Sequence, residues 1–375
     1  MEGSVDAKER TGPSCSSHID QLAREAAEQS GLVSFAGGLP DAALFPKRRL
    51  SVAFITALSS PQCAALQYGW PEGSEELRIW ISKRLAARGA NVAPRDLIIT
   101  SGAQQAVLIA LSTLDHQQAV GVDDESYPGA LSIFRAAGAQ LVPLRGDAPV
   151  RYVMPSVSNP LGQRLSSAER EELLASARRH DSYIIEDDAY DETSFGGAPS
   201  RPLLADAPER VFHVGTFSKT LSPGLRVGWL VPPSALLERA RERKQHQDLQ
   251  ASSLSQELLV EYLRRADFDA HLRRLRRHYA KKHDLLRASL RAHLSDFSVT
   301  PPVGGFSLFL TNGRKLSGER LLEVAIEEGV SFDPGESFRR EPRDTLALRL
   351  CYSTVPSDQI EAGVLRLARA LRRVG

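Results

Sequence analysis

Short apolar, β-branched runs recur through the middle of the chain. They fall at 97–100, 119–123, 140–144, 151–155, 183–186, 211–216 and 226–231. Helical periodicity fills several of the gaps between them. One helix opens at Ser166, where Glu169 three residues on completes a capping box and Leu173, Leu174 and Ala177 supply the apolar stripe. Strands this apolar, alternating with helices, predict a mostly parallel α/β sheet covered on both faces. Segment 234–293 is helical in pattern almost throughout, long enough to bridge two domains. Beyond it, 304–310 and 345–352 read as strands of a smaller α+β domain. The arginines of the long helical segment (Arg273, Arg274, Arg276, Arg277) read as a solvated face balanced by nearby acids.

With 375 residues, of which 42% are hydrophobic, the chain can bury a large core and form one large and one smaller domain. A net charge of +1 gives no electrostatic reason to expect nucleic acid or an anionic membrane as partner. No apolar run approaches the length of a membrane span. Residues 1–12 are polar and mixed in charge, lack the apolar core of a signal peptide, and read as disordered. The cysteines, Cys15, Cys63 and Cys351, are odd in number and lack CxxC spacing, so neither a disulfide framework nor a metal site is implied. A cytoplasmic protein that binds small molecules fits these numbers.

The chemistry concentrates after the 211–216 run, in Thr216-Phe217-Ser218-Lys219 followed by Arg226. A lysine on a turn between hydroxyl residues can form a Schiff base with an aldehyde cofactor. Thr216, Ser218 and Arg226 offer hydroxyl donors and a bidentate cation for a phosphate. This segment closely resembles the lysine motif of the fold-type I, pyridoxal-phosphate-dependent aminotransferases of class I and II. The resemblance covers nearly the whole chain from about Ser17. It implies a mostly parallel seven-stranded sheet, with a large cofactor-binding domain over 46–240. An N-terminal arm and small domain would be formed by 13–45 together with 241–375.

Other parts follow in order. Glu186-Asp187-Asp188-Ala189-Tyr190 ends a strand, where ligands of α/β sheets gather. By resemblance, Asp187 keeps the pyridine nitrogen protonated and Tyr190 reaches the ring's phenolic oxygen; Asp188 reads as an acid of the turn. Ser101-Gly102-Ala103-Gln104 opens a helix whose first N–H groups, at Ala103 and Gln104, are candidates for the phosphate cradle. Tyr127, before Pro128, is similar to the family's ring-stacking aromatic. Asn159, in Asn159-Pro160-Leu161-Gly162, resembles the asparagine that bonds the phenolic oxygen. Arg349 stands in an apolar strand and needs a partner. The substrate α-carboxylate is the one the resemblance implies, a salt bridge to a fixed acid the alternative. The backbone near Gly38, in Ala36-Gly37-Gly38-Leu39-Pro40, would approach the same carboxylate.

The resemblance is to the branch holding α-aminoadipate and kynurenine aminotransferases and the aminotransferase-like half of GntR-type regulators. Gly37-Gly38-Leu39-Pro40 begins too early for a DNA-binding domain ahead of it. Tyr68 is similar to a tyrosine that reaches the phosphate of the neighbouring subunit, which implies a homodimer. One departure stands out. Family members commonly carry Ser-x-Ile-Arg near the start, and this chain has Ser17-His18-Ile19-Asp20. An acid there disfavours acidic side chains and favours a basic amino acid such as arginine, lysine or ornithine; the alternative is that Asp20 caps the helix over 21–29. The same apparatus also supports a cyclase or eliminase acting on a hydroxylated arginine. From another class, a non-catalytic sensor of amines is the lesser reading, opposed by the complete set of catalytic positions.

Overall fold

A computed structural model describes residues 31–60, 64–115, 119–196 and 199–375. Residues 1–12, Ser17, Asp20 and the helix expected over 21–29 lie outside them. The first half contains β1 (Val33–Phe35), α1 (Lys47–Leu58), α2 (Glu75–Ala86), β2 (Ile98–Thr100), α3 (Ala103–Thr113), β3 (Ala119–Val122), α4 (Pro128–Ala136), β4 (Gln140–Pro143) and β5 (Val150–Val153). Next come α5 (Ser167–Arg179), β6 (Tyr183–Asp187), β7 (Val211–Thr216) and β8 (Gly228–Val231).

These strands build a seven-stranded sheet in the order β2-β8-β7-β6-β5-β3-β4. From β7 to β4 neighbouring strands run parallel, while β8 is antiparallel to both β7 and β2. Every residue of β5 and β7 is buried, the mark of strands covered on both faces. The capping box forms as expected: the Ser166 hydroxyl accepts from Glu169 N, and Glu169 accepts from Ser166 N at 2.8 Å.

Segment 234–293 is broken where one long helical run was expected. It folds as α6 (Leu237–Asp248), α7 (Ser253–Arg265) and α8 (Phe268–His293). Leu249, at φ 61° and ψ −55°, leaves the helical region and ends α6. Ser252 and Asp267 then cap the two following helices with their side chains. The arginines of α8 are largely solvated as expected: Arg273, Arg274 and Arg277 are exposed and Arg273 pairs with Asp267 at 3.7 Å, while half-buried Arg276 donates to Glu192 O.

The remaining elements are β9 (Ser298–Val299), β10 (Ser307–Thr311), α9 (Gly318–Glu327), β11 (Val330–Pro334), β12 (Ala347–Cys351) and α10 (Ile360–Val374). They form a second, five-stranded sheet in the order β1-β11-β12-β10-β9. Strand β1 pairs in parallel with β11, so the chain's early segment belongs to the smaller sheet. The loop after β1 is fastened to α8: Asp41 pairs with Lys282 at 2.8 Å and His278 at 2.9 Å, and its N–H donates to the Tyr279 hydroxyl. That loop therefore lies across the cleft between the two sheets.

Candidate active site

Strand β6 delivers Asp187 at its carboxyl end. The carboxylate is buried and accepts from the Tyr152 hydroxyl at 2.7 Å and from Ala189 N at 3.2 Å. Burial raises its pKa to about 6, although both hydrogen bonds pull the other way. Asp188 turns aside as expected of an acid of the turn, bonding the Ser156 hydroxyl at 2.6 Å and pairing with Arg88 at 2.6 Å. Arg88 also pairs with Asp191 at 3.2 Å, which braces the turn that carries Tyr190. The Tyr190 ring stands edge-on to Phe306, centroids 5.4 Å apart, and burial pushes its phenol upward.

Lys219 follows β7. Its Nζ donates to Gly38 O at 3.1 Å and lies 5.2 Å from the Tyr190 ring centroid and 5.9 Å from that of Phe306. Burial lowers the lysine pKa, and Arg349 pushes the same way. Both effects favour the neutral amine, the form in which a lysine attacks a carbonyl or takes a proton.

A second group of residues gathers at the start of α3. Gly102 is its N-cap, with φ 98° and no side-chain cap, so the N–H groups of Ala103 and Gln104 stay available. Arg226, itself left-handed at φ 51°, lays its Nη2 on Ser101 O at 3.0 Å. A Cβ on Gly102 would stand 2.5 Å from that nitrogen, so glycine is what permits the approach. Nearby, the hydroxyl of Thr216 has both Val227 O and Ser218 Oγ at 3.0 Å and accepts from Ser218 N at 3.1 Å, which fixes the two hydroxyls side by side. Tyr127 receives a hydrogen bond from Gln104 Nε2 at 3.2 Å. Asp248 holds the loop from behind, bonding Ser101 Oγ at 3.1 Å and Gln105 Nε2 at 2.8 Å and pairing with Lys244.

Across the cleft, Arg349 is 7% exposed, and of the two partners weighed from sequence it meets one. A fixed acid is present: Arg349 Nε and Nη2 donate to Asp333 Oδ2 at 3.0 and 2.7 Å, its cross-strand neighbour between β12 and β11. Burial, the largest influence, opposes the guanidinium charge, but Asp333, Cys351 and Tyr190 together outweigh it and hold the pKa above the ordinary value. Nη1 donates to Asn159 Oδ1 at 2.9 Å, which leaves the Asn159 amide hydrogens for another acceptor. Gly38 sits against the outer end of the guanidinium; a Cβ there would be 3.2 Å from Nη2 and 3.3 Å from Nη1.

The fold thus unites Lys219, Asp187, Tyr190, Tyr127, Asn159, Arg349 and Gly38 in one cleft, with Ala103, Gln104, Ser218 and Arg226 at one end. Tyr68 is 78% exposed and Asp20 lies outside the described residues. Residues not singled out from sequence are Asp333, Tyr152, Phe306 and Asp248. Asp333 carried a signal, an acid between the apolar Val330–Phe332 run and Pro334. The arrangement fits a phosphorylated pyridine aldehyde. Asp187 is a buried carboxylate with no cation paired to it among the described residues, suited to an N–H of a ring. The uncapped helix start beside Arg226 suits a phosphate.

Comparison with known proteins agrees. Residues 150–367 match the family described as aminotransferase class I and II, and the chain belongs to that family. A 2-aminoadipate transaminase of Thermus thermophilus is 34% identical over 368 residues, spanning 92% of this chain and 91% of its own. The α-aminoadipate aminotransferase of the same organism, solved with N-(5'-phosphopyridoxyl)-L-leucine, superposes with a TM-score of 0.85 at 34% identity. That match covers 94% of this chain and 95% of the other. The kynurenine aminotransferase of Pyrococcus horikoshii, solved with PMP and kynurenine, gives 0.88 at 29% identity over 95% and 94% of the two chains. The protein is a pyridoxal-phosphate-dependent aminotransferase. Among the described residues no helix is long and apolar enough to cross a membrane.

Proposed function

We propose that the chain transfers the amino group of an L-amino acid with a basic side chain to a 2-oxo acid, and that it works as a homodimer. The observation that carries the reading is the convergence of Gly38, Asp187, Tyr190 and Arg349, from separate segments of the chain, on Lys219 Nζ. Pyridoxal phosphate, when bound, supplies an aldehyde carbon and a ring that withdraws the electron pair left on the substrate α-carbon. Lys219, its proton affinity lowered by burial, would take the substrate α-proton and deliver it to the carbon that was the cofactor's aldehyde carbon. Asp187 would hold a proton at the ring nitrogen. Asn159, through its free amide hydrogens, and Tyr190 would serve the phenolic oxygen. Tyr127 would face the ring, and Arg226, Ser218, Thr216 and the Ala103 and Gln104 N–H groups would hold the phosphate. Arg349 and the backbone at Gly38 would orient the substrate carboxylate.

The basic side chain rests on Asp20, an acid where relatives of this branch commonly carry arginine. The dimer rests on Tyr68, whose exposed ring continues into exposed Leu66 and Trp70 at 68% and 79%. The test is to mix the holoenzyme with single amino acids, follow the cofactor spectrum and identify products by mass. Conversion of the cofactor to its amine form with a 2-oxo acid is expected for arginine, lysine or ornithine. Faster turnover of glutamate or aminoadipate would refute the basic-substrate reading. Loss of water from hydroxyarginine with the starting spectrum restored would mark cyclisation or elimination in place of transfer.

A further inference from the structure

Asp333, on β11 directly opposite Arg349, touches three parts of the site. It takes two of Arg349's donors on a single oxygen, accepts from Gly37 N at 3.1 Å through each oxygen, and lies 3.7 Å from Cys351 Sγ. A guanidinium offers two edges to a carboxylate, side-on through Nε and Nη2 and end-on through both Nη groups. Here the side-on edge is filled by a residue of the chain itself. The end-on edge points at Gly38 and lines the cleft shared by Tyr190, Asn159 and Phe306.

We propose that Asp333 is a specificity-determining residue. By filling the side-on edge of Arg349 it leaves a neutral pair whose end-on edge, shared at Nη1 with Asn159 Oδ1, accepts a single carboxylate and selects against substrates with a second acidic group. This rests on the reading that Arg349 holds the substrate carboxylate. The physical basis is charge. An unpaired guanidinium in a buried cleft attracts any anion and offsets the cost of bringing in two. Paired with Asp333 it keeps its hydrogen-bond geometry and loses that surplus. A neutral or cationic side chain meets no penalty from the pair, whereas a second carboxylate meets no compensation.

The test uses the holoenzyme and three carboxylates that lack an amine able to react: pentanoate, glutarate and γ-trimethylammoniobutyrate. Binding is followed by calorimetry, together with the pH midpoint of the cofactor's spectral transition. Wild type is expected to bind pentanoate and γ-trimethylammoniobutyrate more tightly than glutarate. Asp333→Asn keeps an oxygen for Arg349 but removes the charge, so glutarate affinity should rise relative to pentanoate by roughly tenfold. The spectral midpoint should fall, since Lys219 then feels Arg349 uncompensated among its neighbours Tyr127, Asp187 and Cys351, with the Tyr190 ring 5.2 Å away. An unchanged glutarate-to-pentanoate ratio in D333N overturns the proposal. So does a wild-type protein that prefers glutarate, a result that needs no variant. Arg349→Gln separates the two readings. If it still binds pentanoate normally, the role of Arg349 fails; if it loses binding while D333N matches wild type, only the role of Asp333 fails.

Discussion

At the scale of single residues, Asp187 shows how a site prepared for a ligand costs stability without it. Burial lifts its pKa to about 6 from the ordinary 3.8, so the folded chain binds that proton more tightly than the unfolded one. The associated stability is complete below the ordinary carboxylate range and is lost as the pH rises through about 6. Cofactor-free Asp187→Asn should therefore gain in melting temperature relative to cofactor-free wild type between about pH 4 and pH 6. Asp123, also raised to about 6, is present in both proteins and cancels from the comparison. Parallel melting curves across that range would show that Asp187 does not titrate there. Added cofactor should flatten the wild-type slope, because a ring N–H then shares the buried carboxylate.

At the scale of elements, the start of α3 and the turn before β8 act as one unit, joined by Arg226 lying over Ser101 and Gly102. Gly102→Ala meets two obstacles, a left-handed-side φ of 98° and a Cβ that Arg226 must vacate. The expected result is a loss of pyridoxal phosphate affinity on the order of tenfold or more, if the displaced cation holds the phosphate as proposed. Unphosphorylated pyridoxal should bind the variant and wild type equally. Equal weakening for both compounds would place the damage elsewhere in the cleft.

For the whole molecule, the exposed band of Leu66, Tyr68 and Trp70 continues with Ile55, 64% exposed on α1. One protomer leaves these side chains in water, and a second copy would remove them from it. If Tyr68 completes the neighbouring site, two inactive variants should rescue each other. Lys219→Ala is expected to be inactive, and Tyr68→Ala strongly impaired. In a mixed dimer the Lys219→Ala protomer donates Tyr68 to a site with an intact lysine. Activity should then return after the two are unfolded and refolded together. A mixture no more active than its parts, with mixed dimers present by native mass spectrometry, would show that each protomer's site is self-sufficient.

Much of this was legible in the chain because it depends on neighbours in sequence. The lysine turn after β7, the acid at the end of β6, the glycine before α3 and the Ser166 capping box are each set by a few adjacent residues. The seven core strands were legible for the same reason, since apolar runs between helical patterns are a local signal. What the sequence left open depended on contacts between distant segments. Strands β1 and β9 are too short to show alternation, and the breaks at Leu249 and Ala266 interrupt a continuous helical pattern. Whether Arg349 faced a fixed acid was decided by register: β11 and β12 place Asp333 directly opposite it. Tyr152 comes beneath Asp187 only because β5 and β6 lie side by side, and Gly38 reaches Lys219 only because the loop after β1 is fastened to α8. Local chemistry determined which groups this protein carries. Packing of the two sheets, which fixes register and distance, decided which of them meet.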